Sequence, residues 1–177
     1  MSSQSEAVVM MGFEADRRVH RDFNNKPVAA TVGGKFCTFR CEFEYRWAMY
    51  QQYRKDRGEI LDWDYEVKSE SYNFAELGYE TEPFSYLPDF LLTENDGAKI
   101  VQECKGKLEA KDIEKFKRVQ QSFPDDRLEL VLYRIPKSGC KGATIRANAK
   151  RFVERIIDAD AVFRATRNDV DYSIPWY

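Results

Sequence analysis

The chain has 177 residues, 43% hydrophobic and 33% charged, a globular balance that excludes wholesale disorder and suits one domain rather than two. Its longest apolar runs, such as Ala7 to Met11, are too short to span a bilayer, and no basic segment leads into a long apolar core at the N-terminus. Neither a membrane span nor a secretory signal is therefore expected, and a formal net charge of −2 with a pI of about 5.6 argues at first sight against a nucleic-acid binder.

In chain order, residues 1–30 read as a loose N-terminal stretch, with an apolar patch at Ala7 to Phe13 and a polar run from Asp22 to Lys26. Phe43, Trp47, Tyr50 and Arg54 recur at helical spacing, so a helix is expected from about Glu42 to Arg57, stopped by Gly58. Strands follow at Ile60 to Val67 and Ser71 to Ala75, then a loop from Glu76 to Pro83. A hairpin is expected from Tyr86–Thr93 and Lys99–Lys105 about the turn Asn95-Asp96-Gly97. Ala110 to Phe123 reads as a helix with Ile113, Phe116, Val119 and Phe123 on one side, ended by Pro124, and Leu128 to Ile135 as a strand. Pro136 to Ala143 is a basic, glycine-containing loop. A helix is expected from Thr144 to about Asp158, with Ala149, Phe152, Val153, Ile156 and Ile157 on its apolar face, then a short strand at Asp160 to Arg164. The order α-β-β-β-α-β-α describes an α/β (α+β) domain with a central mixed sheet flanked by helices.

Charge is unevenly spread. Residues 42–103 carry 6 basic and 15 acidic side chains, net −9, whereas residues 134–177 carry 9 basic and 5 acidic, net +4. Arg134, Lys137, Lys141, Arg146, Lys150, Arg151 and Arg155 face Glu154 alone over their span. Such asymmetry is compatible with an acidic metal-holding region and a basic anion-facing one, although ordinary solvated charge would explain it too. Cys37, Cys41, Cys104 and Cys140 lack the paired spacing of a zinc ribbon and read as reduced thiols. His20 is the single histidine, so metal sites and triads built on several histidines are excluded.

The stretch that carries chemistry is Leu87-Pro88-Asp89-Phe90-Leu91-Leu92, then the turn, then Glu103-Cys104-Lys105-Gly106. A hairpin centred on Asp96 sets Asp89 opposite Glu103 on one face, with Cβ atoms roughly 5 Å apart. Two carboxylates that close repel unless a proton or a cation neutralises them. Oxygen ligands so placed suit magnesium, and Lys105, one pleat along, reaches the same place to stabilise developing charge. A surface hairpin with a Glu–Lys salt bridge is the plainer alternative. An aspartate between Leu87 and Leu91 on one face is nonetheless costly to bury without a role.

Pro88-Asp89 with Glu103-Cys104-Lys105 resembles the signature of the PD-(D/E)xK nuclease superfamily. Phe39-Arg40-Cys41-Glu42-Phe43-Glu44 resembles the helix entry of the phage endonuclease I family of Holliday-junction resolvases. The likeness continues in order through Leu87 to Leu92, Glu103 to Gly106, the Lys141-Gly142 loop and Ile174-Pro175-Trp176, covering roughly residues 36–177. Transposition endonucleases of the TnsA type share much of the pattern. Cys41 departs from the family's serine, and the Ser69–Ser85 loop is long.

The resemblance implies a restriction-endonuclease-like core at residues 36–165, an N-terminal extension at 1–35 available to a dimer interface, and a C-terminal tail at 166–177. It implies a magnesium-dependent endodeoxyribonuclease, with manganese as a substitute ion, acting on branched or structured DNA in phage recombination or DNA processing. Glu44, Asp89, Glu103 and Lys105 would be catalytic, and Asp89, Glu103, Glu44 and the backbone carbonyl of Cys104 would hold metal. Lys107, Lys111, Lys115, Lys137, Lys141, Arg146 and Lys150 would meet DNA phosphates. A homodimer in the cytoplasm of a bacterial or phage-infected cell completes the expectation. The alternatives are a TnsA-like or restriction-type cutter of ordinary duplex, and a non-catalytic DNA-binding phage protein with the same fold.

Overall fold

A computed structural model describes residues 26–174. The apolar patch Ala7–Phe13, His20 and the Pro175-Trp176-Tyr177 end lie outside the described residues. Among the described residues, no helix is long and apolar enough to cross a membrane.

The fold is α+β around a five-stranded mixed sheet. Its strands are β3 (Asp62–Tyr65), β6 (Phe90–Thr93), β7 (Lys99–Lys105), β8 (Arg127–Leu132) and β9 (Arg155–Asp158), adjacent in that order. β3, β6 and β7 form an antiparallel meander, while β7–β8 and β8–β9 are parallel. The parallel pairs require crossovers, which α2 (Ala110–Ser122) and α3 (Lys141–Ala149) supply.

Alternation along β7 splits the core. Ile100 and Cys104 pack with α1 (Glu42–Asp56) and α4 (Ala159–Thr166) through Phe43, Trp47, Ala159 and Phe163. Val101 faces the other way, with Leu91, Leu128, Leu130, Phe116 and Val119. Helix α2 buries the stripe expected of it, with Phe116 and Val119 nearly inaccessible and Ile113 and Phe123 half-buried against them. The hairpin register also agrees with expectation: Phe90 faces Gln102, Leu91 faces Val101 and Thr93 faces Lys99.

Three parts of the chain differ from the sequence reading. First, Val28–Val32 (β1) and Lys35–Phe39 (β2) pair antiparallel about Gly33-Gly34, both at positive φ, as a two-residue hairpin turn needs. Val28, Ala30 and Val32 are buried in the core with α1, so residues 28–35 belong to the packed body. Second, the helix expected from Thr144 to Asp158 runs from Lys141 to Ala149, and Arg155–Asp158 is strand β9. Ile156 packs on one side of the sheet and Ile157 on the other, which only a strand allows for neighbours in sequence. Third, the expected strand at Asp160–Arg164 lies in helix α4, whose N-cap Asp158 accepts a 3.0 Å hydrogen bond from the Ala161 N–H.

Between β3 and β6 the chain makes a small antiparallel hairpin, β4 (Tyr72–Asn73) and β5 (Ser85–Tyr86). The segment inside it is gathered by Arg118 of α2, which is 3% exposed. Its guanidinium donates to the carbonyls of Thr81 (2.7 Å), Pro83 (2.6 Å) and Glu82 (3.2 Å) and to Thr81 Oγ1 (3.0 Å). The long loop is therefore tied to the same helix that closes the candidate site.

Candidate active site

The residues singled out above meet at the end of the sheet where α1 and β6 begin and β7 ends. Asp89 is wholly buried and Glu103 is 2% exposed. Asp89 sits one residue before β6, and continuation of the observed register sets it opposite Glu103. Its Oδ2 accepts a 2.7 Å hydrogen bond from the Cys104 N–H. Continued one step further, the register sets Cys104 opposite Pro88, which has no N–H. The Cys104 carbonyl points to the same edge as its N–H and receives no ladder bond from residue 88. The proline thus leaves a backbone oxygen beside the Asp89 carboxylate. The Cys104 thiol lies on the opposite, α1 face of the sheet, where burial and then the Glu44 and Glu103 charges push its pKa well up, so it is an inert wall.

Lys105 Nζ lies 2.8 Å from Glu103 Oε1 and 3.4 Å from Asp112 Oδ1. Burial disfavours its ammonium, but Glu103 and Asp112 outweigh burial and raise the pKa, so Lys105 is a cation that donates rather than a base. Lys115 of α2 converges on the same two carboxylates, 3.1 Å from Glu103 and 3.6 Å from Asp112, with its ammonium 4.8 Å from the Tyr86 ring centre. Burial, then the Glu103 charge, pushes the Tyr86 phenol well above its ordinary range.

Glu44, 6% exposed on the first turn of α1, is engaged from the other side. Its Oε2 accepts from the Arg40 N–H (2.8 Å) and from Tyr65 Oη (2.6 Å). The Arg40 guanidinium then joins Glu44 (3.4 Å), Glu66 (3.1 Å) and Asp89, the last through Nη2 to Oδ1. Burial works against that charge, yet Glu44 and the other partners raise the Arg40 pKa. Arg40, Tyr65, Glu66, Asp112 and Lys115 complete the cluster. The sequence offered a signal for Arg40, which falls within the helix-entry motif, and for Lys115, which falls in the basic set, but none for the others.

The donor set fits a divalent cation. Asp89 Oδ1 is buried with the Arg40 guanidinium as its partner, while Glu103 Oε2 is buried and accepts no hydrogen bond of good geometry. With the carbonyl of Cys104, the residue after Glu103 on β7, they offer three oxygens. Among the described residues, no three His, Cys, Asp or Glu side chains converge on one cation position. A magnesium site needs only one or two protein carboxylates, so Asp89 and Glu103 suffice, with Glu44 held back by Tyr65 and Arg40.

The basic residues fall into two groups. Lys107 and Lys141 lie on a cavity that begins directly after Lys105, and neither they nor Lys137, Arg146 or Lys150 make an ion pair among the described residues. Lys111 instead pairs with Glu109 at 2.9 Å on the surface. No family model matches the chain, and neither a curated protein nor a solved structure matches it.

Proposed function

We propose that the protein is a divalent-metal-dependent endodeoxyribonuclease that hydrolyses DNA phosphodiester bonds at the Asp89–Glu103–Lys105 site, with branched DNA as its substrate class. The observation that carries this reading is the opposed pair of buried carboxylates, Asp89 with Oδ1 held by the exchangeable Arg40 guanidinium and Glu103 with an unpartnered Oε2, beside a charged lysine. A bound magnesium or manganese ion would supply a nucleophilic water at neutral pH and offset charge on the phosphate. Asp89, Glu103 and the Cys104 carbonyl would hold it. Lys105 donates toward the attacking oxygen and the charge that develops on the phosphate. Lys115 holds Glu103 in its rotamer, and Asp112 fixes both lysines. Lys107, Lys137, Lys141, Arg146 and Lys150 meet flanking phosphates. Resolving a junction takes two symmetric cuts, which a homodimer of this chain would make.

One observation favours a second reading. Arg40 satisfies Glu44, Glu66 and Asp89, and Lys105 with Lys115 satisfies Glu103, so the carboxylates are charge-paired by the chain itself. That arrangement would serve a DNA-binding protein that keeps the fold without cutting. Incubation of a four-way junction, a nicked duplex and a linear duplex with magnesium or manganese separates the two. The nuclease reading expects cleavage, and a loss of about 100-fold or more in Asp89→Asn and Lys105→Ala. Unchanged cleavage in those variants sinks the assigned site, and binding without cleavage in either metal favours the second reading. Equal cutting of all three DNAs would make it a duplex endonuclease of the TnsA or restriction type.

A further inference from the structure

Beyond the carboxyl ends of the parallel strands β7 and β8 lies a cavity of about 360 Å³. Open α/β sheets bind ligands at this position, outside the strand ends. Its walls are aliphatic: Leu108, Leu132, Pro136 and Ile145. Gly142 lets α3 approach the loop closely, since a Cβ there would stand 3.2 Å from the Pro136 ring. Lys107, Arg134 and Lys141 stand on the lining against Glu109 as its one acid. Glu109 is itself committed, to the α2 capping box and to Lys111. The cavity starts at Gly106, the residue after Lys105.

We propose that this cavity receives an unstacked base of the strand being cut, so that the substrate is DNA with an unpaired or distorted nucleotide beside the scissile phosphate. The inference rests on the nuclease reading and names the feature of the DNA that the site selects. An intact duplex presents phosphates and groove edges, but no isolated apolar group that could fill an aliphatic hole of this size. An unstacked base does, with two apolar faces and polar edges. The volume is within the ~300–1,000 Å³ of ordinary ligand pockets. The lysines on the lining match the phosphates on either side of such a base; the walls carry no side-chain amide or hydroxyl, and Arg134 and Glu109 are engaged by Asp160 (2.8 Å) and Lys111 (2.9 Å) rather than aimed at a base edge. Recognition is therefore by the unpaired state and tolerant of sequence. A flap base and a mismatch expose such a nucleotide outright, and a four-way junction does so when the pairs at its exchange point open.

The test uses the full-length protein with DNA carrying 2-aminopurine, stepped one nucleotide at a time across the cleaved position, with calcium replacing magnesium to hold the complex uncut. Fluorescence should rise several-fold at one position only. Ile145→Trp, which fills the cavity, should abolish the rise and lower kcat/KM by about tenfold or more, with the circular-dichroism melting midpoint kept. If that variant does not fold, Lys107→Ala with Lys141→Ala should move the same rise to higher protein concentration. Cleaved DNA that brightens at no position overturns the base pocket and leaves the nuclease reading standing, as does an Ile145→Trp protein that brightens or cuts like wild type. Failure of wild type to bind and to cut any of the DNAs overturns both.

Discussion

Arg40→Ala tests whether the carboxylates were built around a cation. The guanidinium is the positive partner of Asp89, Glu44 and Glu66, while Asp89 itself has 1% of its side chain exposed. Removing one partner of a fully buried pair costs about 3–5 kcal/mol. The Arg40 side chain is 56% exposed, so water already shares its charge, and about 2 kcal/mol is the expected loss without divalent ions. For a chain of 177 residues that lowers the melting midpoint by about 4–8 °C. Magnesium should restore it, because an ion at about 100 times its dissociation constant contributes about 2.7 kcal/mol. Wild type should gain less, since the ion must first displace Arg40 from Asp89. The double variant Arg40→Ala/Asp89→Asn should recover stability without metal and lose most of the magnesium response. Thermal melts of the three proteins, with EDTA and with magnesium, decide it. Equal metal-induced shifts in wild type and Arg40→Ala, or a full shift in the double variant, would refute a cation site at Asp89.

Two further outcomes follow from the charges. Burial alone would raise the Asp62 pKa, but hydrogen bonds from Lys55 and Lys35 hold its carboxyl down to about 2. A folded-state pKa below the unfolded value means that its stabilisation is present above about pH 3.8 and is lost as pH falls toward 2. Urea midpoints of wild type and Asp62→Asn should therefore converge over that window, and a gap that stays constant would show that the ion pairs contribute nothing. For DNA binding measured against salt, Lys107→Ala, Lys141→Ala and Arg146→Ala should each lower the slope of log K against log salt by about 0.9. Lys111→Ala should lower it less, because Lys111 is already paired with Glu109, and an affinity indifferent to salt would remove the phosphate contacts altogether.

The elements legible in the sequence are those whose side chains face one environment. Phe43, Trp47 and Ala48 on α1, and Phe116 and Val119 on α2, repeat at helical spacing because each helix has one buried side. The Asp96-Gly97 turn fixed the β6–β7 register, because Gly97 sits at positive φ and the pairing grows outward from it. The same chemistry holds at Gly33-Gly34, where Val28, Ala30 and Val32 alternate as a half-buried strand should, but the polar run Asp22 to Lys26 before it masks the hairpin as loose chain. Periodicity fails for β9, since a strand covered on both faces has no polar side to mark its period. Ile156 and Ile157 then extend, in sequence, the helical spacing of Ala149 and Phe152.

Site geometry was legible as far as the hairpin reached and no further. Period two and one turn suffice to oppose Asp89 to Glu103, and Pro88 explains why the Cys104 carbonyl lacks a ladder partner. Arg40 and Lys115 fall in motifs the sequence shows, but nothing local announces which carboxylates they meet, or that Tyr65, Glu66 and Asp112 join them, because the packing of α1 and α2 on opposite faces of the sheet decides that. This changes the meaning of the acidic block. Counted along the chain, residues 42–103 are net −9. In the fold, Lys35, Arg40, Lys105, Lys115 and Arg127, all from outside that span, pair with Asp62, Asp64, Glu44, Glu66, Asp89, Glu103 and Glu94 inside it. Charge blocks in sequence are therefore not charge patches in space. In the site three cations, Arg40, Lys105 and Lys115, meet five carboxylates, Glu44, Glu66, Asp89, Glu103 and Asp112, so a residual −2 is left for a divalent ion, which must still compete with Arg40 for Asp89. Released from Asp89, Arg40 would stay paired with Glu44 and Glu66 through Nε and turn Nη2 toward the proposed phosphate position. Metal entry and phosphate entry would then assist one another in the proposed nuclease, which is how a chain of net charge −2 would bind DNA.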